Sequence, residues 1–117
     1  MDIVFSFNFC TRDVLHPLIP FTFRSTHYRL SIINYQLIYF DGNHSKEATL
    51  QYFELLLPTI TNESVWIFDD IHWSTDMTEA WETIKKHPKV KVTIDTFQWG
   101  LVFFRSEQEK EHFTIRV

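Results

Sequence analysis

The chain has 117 residues, two glycines, one cysteine and a net charge of −4. The length suits one domain, and Gly42 and Gly100, 58 positions apart, cannot form a GxGxxG turn or a P-loop. Eleven Lys and Arg against fifteen Asp and Glu leave no basic footprint for nucleic acid, and Cys10 alone makes neither an internal disulfide nor a zinc cluster.

Hydrophobic content of 44% with 20 aromatic residues indicates a packed core. The apolar stretches are broken well short of the ~18 residues of a membrane span, and the start lacks the positive region of a secretion signal. The expected location is cytoplasmic, without membrane or nucleic-acid partners, where a lone thiol stays reduced.

Residues 1–34 stand apart. Ile3, Phe5, Phe7 and Phe9 alternate with small or polar residues, as in a strand. Pro17, Pro20 and the stretch FTFRSTHYRL show no helical face, so the segment reads as a β-hairpin or irregular arm.

From residue 35 strands and helices alternate. YQLIYF, residues 35–40, predicts a strand ending at the turn signal Asp41-Gly42-Asn43. Ser45 starts a helix with Leu50, Phe53 and Leu57 inward, and Pro58 stops it. VWIF, residues 65–68, predicts a strand buried on both faces, ending at Asp69-Asp70. Ser74 caps the next helix, Asp76 faces its positive dipole end, and Met77, Ala80, Trp81 and Ile84 form the apolar stripe. Val90, Val92, Ile94 and Thr96 then alternate with Lys91, Thr93 and Asp95, predicting a strand with one polar face. Gln98-Trp99-Gly100 reads as a turn into a strand over 101–104, SEQEKEH as a solvated face, and FTIRV as a last short strand.

Asp41 and Asp69 are 28 residues apart, close to the ~30 of a βαβ unit. In open α/β sheets ligands bind at the carboxyl ends of the strands. If the two strands pair in register, Asp41, Asp69 and Asp70 converge, and three anions call for a proton or a hard divalent ion such as Mg²⁺. His44 and His72 follow close enough to line the same crevice. Each feature also has a plainer reading: an Asp after a strand caps a helix or satisfies a turn, and a first-turn histidine is solvated. Cys10 has no His and acid that can be placed beside it as a nucleophile.

YQLIYFDGNHSKEATLQYFELLLP and SVWIFDDIHWS resemble the C-terminal half of class I S-adenosylmethionine-dependent methyltransferases, above all the bacterial and catechol or caffeoyl-CoA O-methyltransferases. The matches are Phe40-Asp41-Gly42-Asn43-His44 for the family's fourth strand end and Phe68-Asp69-Asp70-Ile71-His72-Trp73 for the fifth. VTIDTFQWGLVFF matches its final antiparallel hairpin. The resemblance implies a partial Rossmann-like α/β sheet over 35–117, two parallel βα units followed by a hairpin. It implies methyl transfer from S-adenosylmethionine to a small-molecule hydroxyl, with Asp41, Asp69 and Asp70 as metal ligands. His44 stands where some members carry a lysine base, and imidazole accepts protons near neutral pH. Asp70 replaces the family's Asn.

The 34 residues before Tyr35 hold no glycine, so the family's cofactor loop has no counterpart. The expectation is a truncated family member, inactive alone, with an open strand edge and uncovered apolar faces. The alternatives are a non-catalytic α/β module that dimerises or binds a second subunit, and a metal-dependent hydrolase on the same acids.

Overall fold

The computed structural model describes residues 3–7, 37–42 and 44–116, the first of these as backbone. The remainder of the arm, with Phe9 and Cys10, together with Tyr35, Gln36 and Asn43, lies outside the described residues.

The order along the chain is β1 (Ile3–Phe7), β2 (Leu37–Asp41), α1 (Lys46–Leu56), β3 (Val65–Asp69), α2 (Thr75–Lys86), β4 (Val92–Asp95), β5 (Trp99–Phe103) and β6 (Glu111–Thr114). The six strands form one mixed sheet in the order β1-β2-β3-β5-β4-β6. The α/β class expected from the alternation is present.

β2 and β3 pair in parallel, joined by α1 as their crossover. The side chain of Ser45 accepts the Ala48 amide and opens α1; that of Ser74 does the same for Met77 and α2. Asp76 sits in the first turn of α2, and Lys85 and Lys86 in its last, the charge placement the helix dipole favours. Pro58 does not end α1 at once: the chain tightens into a 3₁₀ turn, Leu57–Thr59, where the missing amide of Pro58 costs no hydrogen bond.

Both helices pack on one face of the sheet. Ile38, Phe40, Trp66, Phe68 and Val102 meet Phe53, Leu56, Trp81 and Ile84 in a single core. Phe40 and Phe68, opposite each other on β2 and β3, stack at 4.3 Å. Phe53 and Phe104 meet Trp66 edge-on at 5.6 and 4.8 Å. Each such buried side chain contributes about 2 kcal/mol through apolar area alone.

Four expectations are corrected. β3 alternates: Trp66 and Phe68 are buried but Val65 and Ile67 are half-buried, because both described helices lie on one side. The polar positions of β4 face inward, Thr93 at 1% exposure and Asp95 at 9%, since each finds a hydrogen-bonding histidine. Trp99 and Gly100 belong to β5, and the reversal falls at 96–98, where the Thr96 amide donates to the Trp99 carbonyl. The last strand, β6, starts at Glu111 rather than Phe113, while residues 106–112 stay exposed as the charged run predicts. In addition, β2 is no open edge, because β1 covers it antiparallel with Val4 opposite Phe40.

Gly100 lies under Trp81: a Cβ there would stand 2.5 Å from the indole. Gly100→Ala is therefore expected to destabilise the fold by about 1–3 kcal/mol through overpacking, measured as a lowered urea midpoint.

Candidate functional site

The parallel register pairs Phe40 with Phe68, so Asp41 and Asp69 end their strands side by side, ~4.8 Å between backbones. Asp69 is opposite Trp99 on its other flank. By strand alternation Tyr39, Asp41, Asp69 and Trp99 share the face away from the helices. The Trp99 ring meets Tyr39 edge-on at 6.4 Å.

The two acids repel. Burial first, then the Asp69 charge, holds Asp41 above the usual carboxylate range. Burial and the charges of Asp69 and Asp41 push Tyr39 up to about 12, with its hydroxyl hydrogen-bonded to Asp69. Asp69 Oδ1 is buried and accepts no hydrogen bond among the described residues. This end of the sheet stabilises a proton or a positive charge.

Asp70 leaves the pair. Its φ of 53° is left-handed, a region Asp tolerates better than most residues. Its carbonyl accepts the Trp73 amide at 2.9 Å, closing a tight turn. The turn brings Asp70 Oδ2 to 3.1 Å from His44 Nε2, an ion-pair distance without hydrogen-bond alignment. The His44 ring lies 5.5 Å from that of Trp73. The structure thus makes two pairs, Asp41 with Asp69 and His44 with Asp70, rather than one knot of three acids. Among the described residues no three His, Cys, Asp or Glu gather as metal ligands would.

His72 turns the other way. Its Nε2 lies 2.7 Å from Asp95 Oδ2, at the end of β4. Asp95 Oδ1 accepts the Phe97 amide at 2.8 Å and Arg116 Nη1 at 3.1 Å. Burial alone would raise the Asp95 carboxyl, but these donors outweigh it and hold it below the usual range. The Phe97 ring stacks on His72 at 5.4 Å and lies under the Arg116 guanidinium. Phe97 has φ 78°, a strained conformation for a bulky side chain that costs about 1–3 kcal/mol.

Asp95, Phe97 and Arg116 escaped the reading of the sequence. A signal for Asp95 was present, since it ends a strand just as Asp41 and Asp69 do.

A mixed α/β sheet with acids at the carboxyl ends of its parallel strands defines an α/β protein whose acids stand where ligands bind in open α/β sheets. The chain belongs to a methyltransferase family: the model described as "Methyltransferase domain" matches residues 12–71, just over half of the chain. The match includes Asp41, His44, Asp69 and Asp70, and it begins inside the segment 1–34. No curated protein and no solved structure matches the chain. Among the described residues no helix is long and apolar enough to cross a membrane.

Two measurements check these electrostatics. Tyr39 is expected to ionise near pH 12, and Asp69→Asn to move it back toward 10, followed through its ring resonances by NMR. Asp95 has a folded pKa below its unfolded one, so its contribution is complete above about pH 4 and lost as pH falls through the folded value. Asp95→Asn should therefore cost about 2 kcal/mol at pH 7, the gap from wild type closing in acid denaturant melts.

Proposed function

We propose that the chain is a class I S-adenosylmethionine-dependent methyltransferase of the O-methyltransferase type, and that its carboxyl edge handles a small-molecule hydroxyl acceptor. The observation that carries this reading is the His44–Asp70 pair beside the Asp41–Asp69 pair, within the family match. His44 takes the proton of the acceptor hydroxyl, and Asp70 at 3.1 Å stabilises the imidazolium that forms. Asp41 and Asp69, side by side at the strand ends, orient the hydroxyl through hydrogen bonds.

S-adenosylmethionine supplies a methyl group activated on a sulfonium. The described residues include no glycine-rich turn to cradle it, so they do not by themselves fit the cofactor. Mg²⁺ would need more oxygen ligands than the Asp41–Asp69 pair supplies, and no step runs through a metal.

The 117-residue chain alone is expected to give no S-adenosylmethionine binding in isothermal titration; micromolar binding would overturn that part. Fused behind the cofactor-binding half of an O-methyltransferase, it should transfer labelled methyl groups to a phenolic hydroxyl. His44→Gln should lower turnover about 100-fold or more, and unchanged turnover would refute the base.

A second reading is a non-catalytic module that pairs with itself or a second subunit. It is favoured by the sheet face away from α1 and α2, where Ile67, Leu101 and Phe103 are half-buried and Phe113 and Ile115 exposed. It predicts a concentration-dependent dimer in sedimentation equilibrium, and a monomer throughout would remove it.

A further inference from the structure

Asp70 faces His44 only because the turn after β3 holds it there. Its backbone is left-handed, with φ 53°, and a residue in such a region persists only where its surroundings fix it. The contact with His44 cannot do so: at 3.1 Å it lacks hydrogen-bond alignment, and the two side chains are 30% and 27% exposed. The Trp73 amide on the Asp70 carbonyl closes the turn without tying it to the sheet. Ile71, buried in the core, gives one anchor. A single anchor leaves the peptides on either side of it free to rotate.

The second anchor is His72. Its Nε2 lies 2.7 Å from Asp95 Oδ2, the length of a charge-assisted bond, and the contact spans 23 positions of sequence. Asp95 is itself fixed. It ends β4 opposite Gly100, its side chain is 12% exposed, and it also accepts the Phe97 amide and Arg116 Nη1. The Phe97 ring stacks on the imidazole at 5.4 Å and keeps it from swinging away. The turn is thus pinned to the sheet two residues beyond Asp70, on the other side of Ile71 in the chain.

We propose that Asp95 is a positioning residue: through His72 it fixes the turn 70–73, so that the Asp70 carboxylate stays on His44. Asp95 touches neither His44 nor Asp70 and acts only through the backbone that His72 shares with Asp70. The proposal deepens the transferase reading and rests on it for the role of His44 as base.

The experiment follows the 117-residue chain by NMR. Its signals are the Overhauser contacts between the His44 and Trp73 rings, 5.5 Å apart, and the HN–Hα coupling of Asp70, which reports its left-handed backbone. His72→Ala is expected to abolish the ring contacts and change the coupling. His72→Gln, whose carboxamide can still donate to Asp95, should retain both. Asp95→Ala should act as His72→Ala does; should it fail to fold, His72→Ala carries the test, since it alters no strand. Arg116→Gln takes a different partner from Asp95 and should lower the melting temperature with both signals unchanged. In the fused protein His72→Ala should lower kcat about tenfold with KM changed less than about twofold, because it displaces the partner of the base. Unmoved signals in folded His72→Ala, or their loss in Arg116→Gln, overturn the proposal. A fused wild-type protein that transfers no methyl group, with the turn released in His72→Ala, refutes the transferase reading and leaves the positioning standing. Transfer that His72→Ala does not slow does the reverse.

Discussion

The parallel, in-register pairing of β2 with β3 is the constraint on which the rest depends. It stacks Phe40 on Phe68 beneath the helices and, one residue later, sets Asp41 beside Asp69 at the open end. The same register therefore creates the core and a pair of like charges. Hydrophobic burial along the strands outweighs the repulsion at their ends, and the repulsion shows in the raised Asp41 and Tyr39. A sheet whose interior forces two carboxylates together has a built-in preference for a proton or cation at that edge.

The loop after β3 distributes that edge into separate sites. Asp69 stays with the strand, Asp70 swings through a left-handed turn to His44, Ile71 is buried as the anchor, and His72 reaches Asp95. Four consecutive residues thus send side chains to four places. One stretch of chain thus runs from the paired acids to the cluster of Asp95, Phe97 and Arg116.

Much of this was legible in the residues. Ser45 and Ser74 cap their helices because a serine before an apolar-periodic run meets an orphan amide. Met77, Ala80, Trp81 and Ile84 are buried because spacings of three and four return to one helical face. The placement of Asp41 and Asp69 at the ends of apolar strands, with Asp70 and His44 just beyond, was readable from the sequence. Asp95 was not, because period-two alternation says which residues share a face and nothing about which face is covered. The reversal at 96–98 was misplaced because Gly100 signals a turn in sequence, whereas its use here is to admit the Trp81 ring.

Local patterning determined the α/β class, the two capped helices, the β2–α1–β3 unit and the acids at the strand ends. These depend on interactions between residues a few positions apart, which a linear sequence displays directly. Only the tertiary structure decided that β5 inserts between β3 and β4, and that β1 covers the edge of β2. It alone turned Asp70 to His44 and His72 to Asp95, in partnerships that reach across 23 to 26 positions. The physical reason is that strand order and ion pairing are settled by which faces the packed helices leave open, and that is a property of the whole sheet.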